Sequence, residues 1–311
     1  MYRRLVARIG RCHLDQRLGI EHDFEARAFG FGRTFFHIEN WYSIHAWMRM
    51  ALRAVGLHGR GRRNARRIEV RRHAFALSHL PASFDGYTLL HLSDVHLDMA
   101  ADLPDALIDA VGRAGPWDIC VITGDIRAKT FGPYQAALDG MARIMPHLLA
   151  RGPVYGILGN HDTIRMAPGL EDLGLRLLLN ESVRLQREGA TIHLAGIDDP
   201  HYYRAENMEK ATDGIPDDAV SLLLSHSPEM FRHAAYARFD VMLSGHTHGG
   251  QICLPGGIPI MLNAEAPRAL CNGPWRFRDL RGYTSAGSGV CIVDVRLNCP
   301  PEITLHTLRR A

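Results

Sequence analysis

The sequence predicts an α/β fold, and three observations carry that prediction. From about Ser83 short apolar runs alternate with stretches of helical periodicity. After about residue 175 strand-like runs dominate. Five short polar clusters each close an apolar run, and the carboxyl ends of strands are where α/β sheets gather their binding sites. Two segments are expected, a basic extension over residues 1–82 and a catalytic domain over 83–311.

Residues 1–40 are weakly patterned. Residues 41–55 (WYSIHAWMRMALRAV) are different. At about 100° per residue, Tyr42, His45, Arg49 and Arg53 share one narrow sector, and Trp41, Ile44, Trp47, Met48, Met50, Leu52 and Val55 fill most of the rest. Gly56 suits a C-terminal stop. Seven arginines and one acid follow between Arg60 and Arg72. This helix has two readings: its wide apolar face packs on the catalytic domain, or it lies in a membrane interface with the arginines on anionic headgroups. The arginine tract lacks the interleaved aromatics that stack on nucleic acid, so nucleic acid is not the expected partner.

The run YTLLHLS reads as a strand, followed by a helix near 103–114 and the strand WDICVITGD. A helix near 134–150 ends at Arg151-Gly152-Pro153, and VYGILGN is the next strand. The runs LRLLLNE, SVRLQRE, TIHLAGI, VSLLLSH, DVMLSGH, VCIVDVRL and EITLHTL read as further strands. The stretch 198–218 is a loop long enough to border a site.

A chain of 311 residues with 46% hydrophobic content supports one large core. The net charge of +3 hides an asymmetry, with +10 over residues 1–75 and −7 over the remainder. Six scattered cysteines without CxxC spacing exclude zinc fingers and suggest a reducing, cytoplasmic compartment. No run of about 18 apolar residues is present to cross a bilayer.

The clusters are Asp94-Val95-His96, Gly124-Asp125, Gly159-Asn160-His161-Asp162, His226 and Gly245-His246-Thr247-His248. In extended backbone, residues i and i+2 face the same side, so Asp94 and His96 are expected to reach one ion, as are His246 and His248. A carboxylate such as Asp125 can bridge two cations while cancelling charge, and Asn160 can offer a neutral amide oxygen. Four histidines, two aspartates and one asparagine, with no thiol, suit manganese, iron, zinc or nickel better than calcium or magnesium. Two such cations side by side hydrolyse phosphate esters.

In their order these clusters resemble the calcineurin-like metallophosphoesterases, whose pattern is DxH, GD, GNH(D/E), H and GHxH. The resemblance covers roughly residues 86–311. It implies a four-layer α/β/β/α sandwich around a dinuclear centre, one metal on Asp94, His96, Asp125 and His248 and the other on Asp125, Asn160, His226 and His246. The implied activity is hydrolysis of a phosphodiester or diphosphate by a metal-bridging hydroxide, with two divalent ions, manganese first among them. His161 is implied to stabilise the phosphate or protonate the leaving oxygen, and Asp162 to hold the His161 ring. Arg127 and Lys129, just beyond Asp125, are placed to grip a second phosphate or to face solvent. The segments LSDVHLD, GIDDP, SHSP and GHTHGGQ resemble the membrane-associated branch, which includes enzymes similar to UDP-2,3-diacylglucosamine pyrophosphatase. That favours a lipid-linked substrate and an anionic membrane surface docking on residues 41–72, at the inner face of the cytoplasmic membrane. A nucleotide or cyclic-nucleotide phosphodiesterase, a nuclease and a non-catalytic scaffold are the alternatives.

Overall fold

Apolar runs without polar alternation mark strands covered on both faces, and the computed structural model, which describes residues 2–26 and 42–311, shows why this chain has them. Two six-stranded sheets stack face to face. The first contains β1 (Glu69–Leu77), β2 (Thr88–Leu92), β3 (Ile119–Thr123), β4 (Val154–Ile157) and β5 (Leu175–Leu177). The second contains β6 (Glu181–Arg187), β7 (Ala190–Gly196), β8 (Ser221–Leu224) and β9 (Val241–Ser244). A small hairpin, β10 (Cys253–Leu254) with β11 (Ile258–Pro259), stands apart. The second sheet is completed by β12 (Gly273–Phe277) and β13 (Leu280–Thr284), and the first by β14 (Glu302–Arg310). Their orders are β1-β14-β2-β3-β4-β5 and β12-β13-β9-β8-β7-β6.

Strand periodicity assigns each side chain to a layer. In β3, Ile119 and Val121 enter the core between the sheets, while Cys120 and Ile122 face outward. In β8 and β9, Leu222, Leu224, Val241 and Leu243 close that core from the other side, and Leu223 and Met242 face the opposite way. Helices α1 (Arg3–Ile9), α2 (Arg11–Ala26), α5 (Leu103–Ala114), α6 (Gln135–Leu149) and α7 (Ala167–Asp172) belong to the first sheet's outer side. α8 (Met208–Thr212) and α9 (Phe231–Tyr236) cover the second. The layers are α/β/β/α. In the chain, α3 (Tyr42–Ala54) and α4 (His58–Ala65) precede β1.

Several expectations change. The division at 82/83 does not match a structural break, because β1 is a strand of the first sheet, paired in parallel with β14 from Glu69↔Glu302 to Leu77↔Arg310. Its two adjacent arginines disguised it as part of a basic tract: Arg71, on the face of Phe75 and Leu77, pairs with buried Glu302, and Arg72 on the other face donates to the Ala114 carbonyl. Leu5 and Ile9 of α1 enter the main core, and Arg8 bonds Glu171, Glu181 and the Leu177 carbonyl. The weak pattern of residues 11–26 has a physical cause: the buried stripe of α2 is Leu14, Arg17 and Glu21, two of them charged. The run VCIVDVRL is not a strand; it is irregular, with only Leu297 bridging to Ile252. Of the apolar face of α3, Trp47, Met50 and Val55 are exposed, while Met48 and Leu52 are half-buried. Trp41 and the side chains of Tyr42, Ile44 and His45 lie outside the described residues.

One buried polar group sits between the sheets. His91 on β2 and His306 on β14 are fully buried, with Nδ1 of His91 3.3 Å from Nε2 of His306. Burial lowers both, His91 from 6.5 to about 3. The unfolded chain therefore takes up a proton below pH 6.5 that folded His91 refuses until about pH 3. Its contribution to stability is complete above pH 6.5 and is lost as the pH falls toward 3, by about 1.4 kcal/mol per unit. Urea unfolding between pH 7 and 4.5 should show a shallower decline for His91→Gln than for the parent; parallel declines would contradict this.

Candidate metal centre

Each of the seven candidate donors lies two to four residues beyond a strand. Asp94 and His96 follow β2, Asp125 follows β3, Asn160 follows β4, His226 follows β8, and His246 and His248 follow β9. The loops are laced by backbone hydrogen bonds, Asp94 N–H to Gly124 O, His96 N–H to Asp125 O and Gly245 N–H to His226 O. Five donors stand at positive φ: Asp94 at 50°, His96 at 39°, Asp125 at 56°, His246 at 70° and His248 at 51°. The expected extended DxH and HxH geometry is therefore wrong; the side chains converge because the backbone turns through the left-handed region. Such conformations cost of order 1–3 kcal/mol each and persist where the surroundings over-determine them. Glycine makes room for the convergence: a Cβ on Gly245 would lie 2.3 Å from Asp94 Oδ2, and one on Gly159 would lie 2.2 Å from Asp125 Oδ1.

The seven side chains meet in one buried cluster. Asn160 Oδ1 lies 2.8 Å from both His226 Nε2 and His246 Nδ1. Asp125 Oδ2 lies 3.4 Å from His226 Nε2 and 3.7 Å from His96 Nε2. His248 Nε2 is 3.1 Å from His96 Nε2 and 3.4 Å from Asp94 Oδ1. The remaining ring nitrogens fix the tautomers. His96 Nδ1–H donates to the Arg127 carbonyl and His226 Nδ1–H to the Thr123 carbonyl, both at 2.7 Å, so the neutral His96 ring turns an Nε2 lone pair inward, and His226 does so once its second proton is displaced. Asp125 Oδ2 and His96 Nε2 face each other as acceptors, a juxtaposition that positive charge between them relieves, while Arg296 Nη2–H donates to His248 Nδ1 and so leaves the His248 proton on Nε2, toward His96. The electrostatics agree. Burial alone would depress His226, but Asp125, Asp94 and Asp199 lift it to about 10. Burial would raise Asp125, yet His226, His161 and His96 hold it well below its usual range. Burial lifts Asp94 to about 6. The donor set fits a pair of divalent cations.

The other predicted residues fall out differently. His161 stands at the cluster, with Nε2 3.8 Å from Asp125 Oδ2. Its ring is oriented by Nδ1–H to the Ala128 carbonyl at 2.8 Å, not by Asp162. Asp162 accepts from the backbone N–H groups of Ile126, Arg127 and Gly159, so it clamps the loops after β3 and β4 to each other. Arg127 is buried and its guanidinium donates to the carbonyls of His161, Thr130 and Gly132, which leaves it holding the loop rather than gripping a phosphate. Lys129 is exposed.

Several supports were not visible in the sequence. Arg17 of α2 is fully buried, bonds Glu21, Asp198 and the Asp162 carbonyl, and stacks 3.4 Å over the Tyr203 ring. Glu21 in turn accepts from Ile164 N–H and the Thr163 hydroxyl. Arg296, also fully buried, donates to the carbonyls of His248, Gly287 and Gly289. Gln251 clamps the loop that brings Cys291 to within 3.8 Å of His161, so a thiol borders the site after all.

A directed hydrogen-bond chain ends on Asp94. The Ser93 hydroxyl donates to Asp94 Oδ2 at 2.6 Å, so it accepts from Thr123 Oγ1 at 2.7 Å. Thr123 therefore accepts from His91 Nε2–H at 2.9 Å, which leaves His91 Nδ1 to accept from His306. Partners of this kind orient a ligating carboxylate and raise its affinity for metal. Ser93→Ala should weaken one of two bound ions about 10- to 100-fold in chelator competition while sparing the other; unchanged affinity for both would contradict that role.

Comparison with known proteins agrees with this geometry. The family model described as calcineurin-like phosphoesterase matches residues 87–250. The Bacillus subtilis protein named uncharacterized metallophosphoesterase YkoQ is 30% identical over 230 residues, 71% of this chain and 83% of its own. The Escherichia coli protein named phosphodiesterase YaeI is 25% identical, over 71% of this chain and 82% of its own. A Danio rerio protein named transmembrane protein with metallophosphoesterase domain is 29% identical, over 75% of this chain and 55% of its own.

Proposed function

The chain belongs to the calcineurin-like phosphoesterase family, metal-dependent hydrolases of phosphoesters, and we propose that it cleaves a lipid-linked phosphodiester or diphosphate with two divalent cations held by its seven-residue cluster. The observation that carries this reading is the position of Asp125. One buried carboxylate oxygen faces ring nitrogens of His96, His161 and His226 within 3.8 Å. Asp125 would be held in common by two ions, with Asp94, His96 and His248 holding one and Asn160, His226 and His246 the other. Manganese is the favoured metal, with iron, zinc and nickel as alternatives. When bound, the pair supplies activation of water and neutralises charge on the phosphate.

The chain's own groups do the rest. His161, with Nδ1–H fixed on the Ala128 carbonyl, presents Nε2 to the reacting phosphate, and in the imidazolium form that atom carries the proton for the leaving oxygen. Asp162 and Arg127 act through His161 and Asp125 by fixing their loops. The substrate reading rests on the wall of the adjoining cavity. It runs from Asp125 and His161 to Met48, Ile260, Met261 and Val293. A phosphate beside the polar end and an acyl chain along the apolar wall describe a lipid-linked diphosphate such as UDP-2,3-diacylglucosamine, and a location at the inner face of the cytoplasmic membrane follows. The words phosphodiesterase and transmembrane in relatives' names point the same way.

Manganese-loaded protein should turn over bis-p-nitrophenyl phosphate and, in detergent micelles, UDP-2,3-diacylglucosamine. His161→Ala should lower kcat on both by about 10²- to 10⁴-fold with metal content unchanged. Retained kcat would remove His161 from the reaction, and turnover of the soluble ester without the lipid would remove the substrate assignment.

A further inference from the structure

Exposed apolar side chains are not scattered over this protein. Of ten large exposed hydrophobic residues among the described residues, eight fall in two short segments, 47–57 and 254–261. Trp47 is 68% exposed, Val55 66% and Ile260 61%. The first segment is α3 and its C-terminal turn; the second is the β10–β11 hairpin, in which Leu254 and Ile258 are direct cross-strand partners. The two segments are neighbours in space, since Met48 of α3 and Ile260 and Met261 beyond the hairpin line the same cavity that opens on Asp125 and His161. A continuous apolar rim of this size marks an interaction surface.

Charge identifies what covers it. No acid occurs from Trp41 to Ile68 or from Gln251 to Ala264. The first stretch carries seven arginines, and Arg49, Arg53, Arg60 and Arg63 are exposed. Arg66 is held by Asp102 and Asp294, and Arg62 reaches Asp294. A protein partner of ordinary composition would not select an acid-free apolar face with a cationic flank, whereas anionic headgroups above an apolar interior match both halves.

We propose that α3 and the β10–β11 hairpin together form a docking face for an anionic lipid bilayer, which sets the mouth of the active-site cavity against the membrane plane. This rests on the lipid-linked reading of the site and adds the hairpin and the orientation. The hairpin tip and the exposed side of α3 enter the interface, the arginines meet the headgroups, and an acyl chain passes from the bilayer into the cavity without crossing water. No helix among the described residues is long and apolar enough to cross a membrane.

Flotation of the full chain with vesicles of phosphatidylcholine and phosphatidylglycerol (3:1) tests the face, and turnover of bis-p-nitrophenyl phosphate, which needs no membrane, reports separately on the catalytic reading. The parent should float with the anionic vesicles and about tenfold less with pure phosphatidylcholine. The double variant Leu254→Asp/Ile258→Asp, whose side chains do not line the cavity, should lose about tenfold of its bound fraction and keep full turnover of the soluble ester. Arg60→Glu/Arg63→Glu should abolish the preference for anionic vesicles. Flotation of the hairpin variant equal to the parent would overturn the proposal. So would a parent that does not float, or a parent dimer that the hairpin variant dissolves, which would assign the face to a second copy.

Discussion

The rest of the structure is organised around one unfavourable juxtaposition. A carboxylate oxygen of Asp125 and the inward lone pairs of several imidazoles are packed within 4 Å of each other, away from water. Like acceptors in a medium of low dielectric repel, and in the unloaded cluster protons on His226 and on His248 Nε2 offset part of that repulsion. The scaffold has to hold them there. It does so by closing the alternatives: Nδ1 of His96 and His226 is tied to a backbone carbonyl, and five donors are wound into left-handed backbone that laced loops keep in place. That preorganised repulsion is what gives two cations a site before they arrive.

Holding such a site requires bracing from outside the motif. Asp162 joins the loops after β3 and β4 through three backbone N–H groups. Arg17 reaches in from the N-terminal helices to the carbonyl of the same Asp162 and to Asp198. Arg296 ties the His248 loop to the 287–289 turn from the opposite side. Arg17 and Arg296 are buried cations satisfied by carbonyls or carboxylates, and removing a charged partner leaves an uncompensated group that costs about 3–5 kcal/mol. The catalytic body therefore extends to the start of the described chain, and a protein cut near Ser83 would lose β1 and the Arg17 brace together.

The sequence was informative where burial and periodicity coincide. The helix near 103–114 and the strands carrying the donors were legible because apolar residues alone define their buried faces, and the donors themselves were legible because five clusters recur at strand ends. The rest was hidden for particular reasons. The buried face of α2 is Arg17 and Glu21, which read as solvent-facing. β1 carries Arg71 and Arg72 ahead of its inward Phe75 and Leu77, with Arg71 on that same face and ion-paired to buried Glu302. The run at 290–297 has a strand's composition, but Ile292 sits at φ 64°, a conformation for a β-branched residue that only the surrounding clamp of Gln251 and Arg296 explains. The part of Asp162 was misjudged because adjacency to His161 in sequence says nothing of where its oxygens point, and Arg127 because a cation beside a phosphate site looks like a ligand until its donors are followed to three carbonyls.

The bridging position of Asp125 is the claim on which the account stands, and electron paramagnetic resonance of the manganese-loaded protein tests it most directly. Two Mn(II) ions sharing one carboxylate are exchange-coupled, so the account predicts the multiline spectrum of a coupled pair. A six-line spectrum of isolated ions at full loading would contradict it.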